Sequence, residues 1–270
     1  MSVEREAVVD AIEAALSTGD PVEAERVCRA WLTASGEDAG LRFLLGDALR
    51  DQGRLDEAEG TYRAVVLQEP SMAEAWGALG TTLMLQLRWD EAGRAASRAI
   101  REESGHPEGC WVRAVLRERR GDHEGARRDY LRAALAEPVA YPAPVPLDDD
   151  TVEEVVSTAL MELHPTLRDY LASVPILLDE VPSDEVLREY DPPAFPTEML
   201  GYFSGASLME RSLEDPWSQL PGSIVLFRCN LQRLASDHAR LVEELRITIL
   251  HEVGHFLGLD EHDLEQRGLD

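Results

Sequence analysis

Residues 251–263 of this chain read His251-Glu252-Val253-Gly254-His255-Phe256-Leu257-Gly258-Leu259-Asp260-Glu261-His262-Asp263. Two histidines four positions apart on a helix lie on one face, so both imidazoles can reach a single tetrahedral metal ion. Glu252, beside the first histidine, is then placed to take a proton from water at the metal. The stretch therefore predicts a helix that carries a metal site, and zinc is the expected ion.

Gly258 predicts where this helix ends, because glycine tolerates the positive φ that a helix C-terminus favours. A sharp turn there would return Glu261, or a neighbouring residue, to the metal as a third ligand. The helix should be buried, since apolar residues occupy nearly every side of it. These residues are Ile247, Ile249, Leu250, Val253, Phe256 and Leu257. Two imidazoles and a carboxylate are costly to bury unless something satisfies them, and a metal would do so.

The chain is strongly acidic, with 52 acidic and 26 basic residues and a net charge of −26. Residues 1–138 carry −8 (26 acidic residues, 18 arginines), and residues 139–270 carry −18 (26 acidic residues, 8 arginines). Nucleic-acid binding is disfavoured, because phosphate contacts need clustered cations, and so is attraction to an anionic membrane surface. The acidic second half could favour cationic peptides.

The predicted compartment is the cytoplasm. Residues 1–16 lack the basic start and the continuous apolar core of a secretory signal, and no stretch approaches the length of a membrane span. Cys28, Cys110 and Cys229 are odd in number and scattered, as expected for reduced thiols that pack as small apolar residues.

The first half repeats with a period of 34 residues. Alanine recurs at this interval, and so does a two-residue turn that begins with glycine in three of four copies. The alanines are Ala24, Ala58, Ala92 and Ala126, and the turns are Gly19-Asp20, Gly53-Arg54, Leu87-Arg88 and Gly121-Asp122. Gly46 and Gly80 fall in register on the preceding helices, where a small residue lets two helices approach closely. The pattern resembles the tetratricopeptide repeat.

This resemblance covers residues 5–138, about four helix pairs, and predicts an all-α helical solenoid over residues 1–138. Repeats of this kind usually present a groove to a peptide or protein, so partner binding is favoured over a spacer or dimerisation role. His106 and His123 lie in turns between helices and are expected to be solvated polar residues rather than metal ligands.

Residues 139–150 are rich in proline, which is incompatible with a helix or a central strand, and are predicted to be a linker. Asp150 or Thr151 should cap a helix that continues to about Leu163. Strands are expected at 175–179 and 223–228, with a short strand or turn at 201–205. Helices around a small sheet predict an α+β domain over residues 151–270.

Three runs and the long helix expected from about Ser236 to Leu257 resemble the small bacterial zincin-like metallopeptidases over roughly residues 150–270. The runs are Met199-Leu200-Gly201-Tyr202-Phe203-Ser204-Gly205, Glu210-Arg211-Ser212 and Ile224-Val225-Leu226-Phe227-Arg228. The resemblance implies a zincin fold, with a small sheet over an active-site helix that carries both histidines. The spacing HExxHxxGxxE is also similar to that of the metzincins, which have a third histidine at the last position. The small bacterial family commonly has an acidic residue there, which implies Glu261 as third ligand. Because Asp260, His262 and Asp263 crowd the same turn, His262 and then Asp263 follow as alternatives.

The sequence therefore predicts a multidomain zinc metallopeptidase, with an all-α tetratricopeptide-type solenoid followed by a small α+β zincin-like domain. His251, His255 and Glu261 would hold Zn2+, and Glu252 would act as general base in peptide hydrolysis. The repeat groove would recruit a protein or peptide partner, and the substrate would pair with an exposed edge at residues 223–228. The alternative is a catalytically inactive zincin-like domain with a structural metal, on a repeat-based adaptor. The oligomeric state cannot be deduced.

Overall fold

The structure is a computed structural model that describes residues 2–190, 194–207 and 222–266. It divides the chain into two compact units, Met1–Tyr141 and Pro142–Asp270. The regular elements of the first unit are α1 (Ser2–Ser17), α2 (Pro21–Ser35), α3 (Ala39–Asp51), α4 (Leu55–Gln68), α5 (Ala73–Leu85), α6 (Trp89–Glu102), α7 (Pro107–Glu118) and α8 (His123–Ala136). Successive helices pack against each other, which confirms the predicted all-α solenoid.

Small residues set how closely the paired helices approach. The alanines that recur every 34 residues, Ala24, Ala58, Ala92 and Ala126, are all buried. At Gly46 of α3, an added Cβ would lie 2.5 Å from the ring of Tyr62 in α4. The hydroxyl of Tyr62 donates a hydrogen bond of 2.6 Å to Asp47, the next residue of α3. The ring therefore rests directly on the backbone of α3, which only glycine allows.

The turns inside the helix pairs need a left-handed backbone. Gly19, Gly53 and Gly121 have φ angles of 75°, 73° and 75°. Leu87 occupies the fourth equivalent turn with φ of 58°, and it is the only non-glycine residue with positive φ in the part of the chain that the structure describes. This conformation costs a residue with a side chain about 1–2 kcal/mol. Leu87 is 7% exposed, so the burial of its side chain offsets that cost.

The prediction that His106 is solvated is wrong. Its side chain is 5% exposed, and Nδ1 accepts a hydrogen bond of 3.2 Å from the backbone N–H of Gly109 at the start of α7. Gly77 makes room for the ring, because an added Cβ there would lie 2.7 Å from Cε1 of His106. The imidazole is therefore a buried helix cap. His123 is exposed, as predicted.

The second unit contains helices around a three-stranded sheet, which confirms the predicted α+β class. Its elements are α9 (Asp149–Glu162), α10 (Pro165–Leu171), β1 (Ile176–Asp179), α11 (Asp184–Leu187), β2 (Gly201–Ser204), β3 (Ser223–Phe227), α12 (Arg228–Leu234), α13 (His238–Leu257) and α14 (Glu261–Glu265). The strand order is β1-β3-β2, with β1 parallel and β2 antiparallel to β3. Apolar residues of α13 and β3 share one core with α9.

The expectation that residues 223–228 offer an exposed edge is wrong, because β3 is the central strand of the sheet. Four consecutive apolar residues of β3, Ile224 to Phe227, are each at most 4% exposed. A continuous apolar run is typical of a strand covered on both faces. The edges of the sheet are β1 and β2.

The last residues of the proline-rich segment pack within the second unit. The backbone N–H of Val145 donates a hydrogen bond of 2.8 Å to the carbonyl of Gln232, and Leu147 is 4% exposed in the core. Asp148, rather than Asp150 or Thr151, caps α9, since its carboxylate accepts a hydrogen bond of 2.8 Å from the N–H of Thr151. The boundary of the linker at residue 150 stays a prediction.

In the described residues, none of the helices has both the length and the apolar character needed to cross a membrane. The three cysteines are buried and form no disulfide with one another, as expected for small packing residues. The cytoplasmic location stays a prediction.

Gly46→Ala should destabilise the repeats, although alanine favours a helix by about 1 kcal/mol over glycine. The added methyl group would overpack the Tyr62 ring, so we expect the free energy of unfolding to fall by about 1–2 kcal/mol. Gly60 of α4 is the matched control, because it is exposed and nothing lies within 4 Å of an added Cβ.

Gly60→Ala should raise the stability by about 0.5–1 kcal/mol. Urea denaturation followed by tryptophan fluorescence reports on the repeats, since four of the five tryptophans lie in residues 1–141. Equal stabilisation by both substitutions would contradict the close packing at Gly46.

Candidate metal centre

The two histidines of the site lie one turn apart near the end of α13. Asp237 caps the start of this helix, and its carboxylate accepts a hydrogen bond of 2.9 Å from the N–H of Arg240. The Nε2 atoms of His251 and His255 are 3.0 Å apart. Nδ1 of His255 lies 3.2 Å from the carbonyl oxygen of Leu259. A carbonyl can only accept a hydrogen bond, so this contact holds the proton on Nδ1 and leaves Nε2 free to bind a metal.

Gly258 ends α13 in the left-handed conformation, with φ of 89° and ψ of 21°. Its N–H donates to the carbonyl of His255 (2.9 Å), and the N–H of Leu259 donates to the carbonyl of Gly254 (3.0 Å). These two bonds form a Schellman motif, which reverses the chain. Leu264 of α14 is fully buried and packs on the backbone at Gly254, where an added Cβ would clash with it.

The turn after α13 brings Glu261 back to the histidines. Asp260 caps α14 by accepting a hydrogen bond of 2.9 Å from the N–H of Asp263, and Glu261 is the first residue of that helix. One carboxylate oxygen of Glu261 lies 3.4 Å from Nε2 of His255, and the other lies 3.7 Å from Nε2 of His251. Tetrahedral ligands at about 2.1 Å from a metal are about 3.4 Å apart, so the three groups fit one ion.

The other acidic and imidazole groups of the turn are used differently. The imidazole of His262 is 77% exposed, and its Nε2 lies 2.8 Å from Nε2 of Gln266. Asp260 serves as the helix cap, as described above. Among the described residues, the group of possible ligands around the two histidines has Glu261 as its third member and contains neither His262 nor Asp263.

Glu252 lies beside the first histidine and is 5% exposed. Burial raises the pKa of its carboxyl to about 8, a hydrogen bond from the backbone N–H of Phe203 opposes the rise, and the charge of Glu261 adds to it. Oε2 of Glu252 is buried and has no hydrogen-bond partner among the described residues. A buried oxygen of this kind needs a hydrogen-bond donor, and a water molecule can serve as one. A cation bound nearby would lower the pKa again, because an opposite charge favours the ionised form.

An open cleft of about 460 Å³ is lined by His251, Glu252, His255 and Glu261. The strand β2 contributes Gly201 and Phe203 to its wall. The remaining lining residues are Tyr190, Ala194, Phe195, Glu198 and Met199. Burial raises the pKa of both Tyr190 and Glu198, and for Tyr190 the charges of Glu252 and Glu261 contribute as well. Sequence reasoning did not find this wall, because the segment before β2 has no helical or strand period.

Comparisons with known proteins agree with the two units. Residues 171–269 match the family described as zincin-like metallopeptidase, and residues 43–107 and 79–143 match the tetratricopeptide repeat. No curated protein matches the chain. Both resemblances inferred from the sequence are confirmed, although the run 210–212 used for one of them lies outside the described residues.

Several solved structures resemble the chain at low sequence identity. A structure of MamA is 20% identical, over 58% of this chain and 86% of that chain, with a TM-score of 0.41. YrrB, described as a TPR protein with an unusual peptide-binding site, is 20% identical over 49% of this chain and 69% of that chain, also with a TM-score of 0.41. MamA from Desulfovibrio magneticus RS-1 is 14% identical over 62% of this chain and 88% of that chain, with a TM-score of 0.42. With TM-scores below 0.5, these similarities carry no functional meaning.

The chain thus joins tetratricopeptide repeats to a zincin-like metallopeptidase domain. The family of that domain implies a metal, typically zinc, and the described residues include a His-His-Glu group that could hold one.

The convergence of three ligand atoms predicts how single substitutions change zinc affinity. Glu261→Ala should weaken zinc binding by more than about 100-fold, since losing even an outer-shell partner of a metal ligand costs about 10–100-fold. His262→Ala, the matched control one residue further on, should change the affinity by less than about twofold. Competition with a chromophoric chelator measures both constants. Loss of zinc in the His262 variant but not in the Glu261 variant would contradict the geometry.

Proposed function

We propose that this chain is a zinc-dependent peptidase that hydrolyses peptide bonds, with repeats that hold a protein or peptide partner. One observation carries the proposal: possible ligand atoms of His251, His255 and Glu261 converge beside a buried carboxylate, and all four groups line one open cleft. Side chains that a peptidase needs are thus brought together where a peptide can enter.

His251, His255 and Glu261 would hold the metal. Zinc, when bound, polarises a peptide carbonyl and makes water nucleophilic near neutral pH. Catalytic zinc sites have three protein ligands and an open position, whereas structural sites have four. The three-membered ligand group found among the described residues supports the catalytic arrangement.

Glu252 would carry the proton. Its carboxylate takes the proton of the attacking water and then delivers it to the nitrogen of the leaving amine, so one group serves as base and then as acid. Burial favours the protonated form, which prepares the group for the second step. The hydrogen bond from the N–H of Phe203 fixes the carboxylate against β2.

Strand β2 would bind the substrate. Among the described residues it pairs only with β3, on one side, so the other side can pair with an extended peptide, and its residues Gly201 and Phe203 line the cleft. The acidic residues around the cleft, including Glu198, favour a cationic peptide.

Glu252→Gln should retain zinc and reduce peptide hydrolysis by at least about 100-fold, because the amide keeps the shape but cannot accept the proton. Glu243→Gln is the matched control on the same helix, since the side chain of Glu243 is 45% exposed and is paired with Arg246 at 2.8 Å. Zinc per chain is measured by elemental analysis, and hydrolysis is followed by mass spectrometry on a peptide library.

Hydrolysis by the Glu252→Gln variant at the wild-type rate would contradict the assigned role. The adaptor alternative makes a different prediction: a wild-type chain that keeps zinc through a fourth protein ligand and cleaves no peptide. A peptidase specific for one protein held by the repeats would also leave generic peptides intact, but its ion would keep an open position.

A further inference from the structure

A basic cavity lies among the repeats of this acidic chain. It has a volume of about 840 Å³, is formed by α4, α5, α6 and α7, and is lined by seven arginines but only two acidic residues. We call it the arginine groove. The chain as a whole carries a net charge of −26, so this concentration of positive charge is local and opposite in sign to the rest.

Some of these arginines already have structural partners. Arg113 and Arg117 contact the carboxylate of Asp129, which is fully buried, at 2.7 and 2.8 Å. Arg63 is paired with Glu59 at 2.8 Å. The contacts with Asp129 fix α7 to α8, and Arg63 forms the α4 side of the groove. These three arginines are held in ion pairs, although Asp129 also pairs with Arg132 at 3.1 Å and balances only one positive charge.

Other arginines of the groove keep their charge available. Arg94 and Arg101, two turns apart on α6, are exposed and have no ion-pair or hydrogen-bond partner among the residues that the structure describes. Arg120 lies in the turn after α7, and its one ion-pair contact among the described residues is a long one, 3.5 Å, to the exposed Asp90. The groove therefore offers three guanidinium groups to a ligand, and guanidinium pairs with carboxylates in a bidentate geometry.

The floor of the groove is partly apolar. The guanidinium of Arg98 lies 5.8 Å from the centre of the Trp76 ring, and its buried Nε finds no hydrogen-bond partner in the part of the chain that the structure describes. Leu79, Leu83 and Leu116 also contribute to the lining. A suitable ligand would thus combine carboxylates with apolar side chains.

We propose that the arginine groove binds an acidic segment of a partner protein, with carboxylates at Arg94, Arg101 and Arg120 and an apolar side chain toward Trp76. The inference rests on the proposed partner-binding role of the repeats and names the chemistry of that partner. A peptide fits better than a nucleic acid, because the apolar floor beside Trp76 can bury a peptide's apolar side chain, whereas a phosphate backbone offers no apolar group to place there.

The test uses the full chain and a fluorescent peptide of three Glu-Glu-Leu-Asp repeats with blocked ends, titrated by anisotropy. The acidic peptide should bind, and binding should weaken as salt is added. Arg94→Glu with Arg101→Glu should reduce the affinity at least about tenfold, and glutamine at both positions should reduce it less. The glutamine pair also keeps the test valid if the charge reversal impairs folding, which circular dichroism monitors.

Arg127→Glu with Arg128→Glu is the matched control, because both arginines are exposed on α8, lie outside the groove lining and give the same change in charge. This pair should change the affinity by less than about twofold. Equal losses in the two double variants would overturn the proposal, since they would reflect net charge alone. Binding of a neutral Gln-Gln-Leu-Asn peptide as tight as that of the acidic one, or tighter binding of oligothymidylate, would also overturn it.

The experiment distinguishes failure of the groove proposal from failure of the peptidase proposal, because zinc content is measured on the same wild-type protein. A zinc-loaded chain that does not bind the acidic peptide overturns the groove proposal only. A chain that binds the peptide through Arg94 and Arg101 but takes up no zinc overturns the peptidase proposal only.

Discussion

The left-handed backbone of Gly258 is the constraint on which the candidate metal centre depends. α13 has to stop one turn after His255, and the chain has to reverse within a few residues for Glu261 to come back to the histidines. Glycine makes that reversal cheap, the Schellman hydrogen bonds fix it, and the buried side chain of Leu264 anchors it on Gly254. The geometry of three ligand groups thus follows from the end of a single helix.

The repeats show how far a period in the sequence determines a fold. The alanine ladder and Gly46 mark contacts between helices, and a 34-residue spacing reproduces them without any long-range information. Leu87 takes the left-handed conformation of its glycine counterparts, so the register of the repeat overrides local preference. His106 could not be foreseen as buried, because its burial depends on Gly77, which is distant in sequence.

In the second unit, elements marked by a local sequence motif could be predicted, whereas the order of the strands in the sheet could not. The helix that carries His251 and His255 and the approximate positions of the strands follow from local patterns. The central place of β3 does not, since strand order depends on which strands pair. The cleft wall with Tyr190 and Phe195 was missed for the same reason: an irregular segment reaches the site only through tertiary packing.

The two binding surfaces that we propose differ in the sign of their charge. The repeats collect exposed arginines in one groove, whereas the cleft of the second unit is lined by acidic residues, including Glu198 and Glu261. A substrate with an acidic docking segment and a basic segment to be cleaved would match both surfaces. Such a division favours a selective peptidase over one that accepts any peptide.

Zinc K-edge X-ray absorption of the zinc-loaded full chain tests the central claim most directly, because it reports the number and type of atoms around the ion. The account predicts a four-coordinate ion with two imidazole nitrogens, one carboxylate and one further light atom from solvent, at about 2.0–2.1 Å. A sulfur atom at about 2.3 Å, or a third imidazole in place of the solvent atom, would contradict a catalytic centre built from His251, His255 and Glu261.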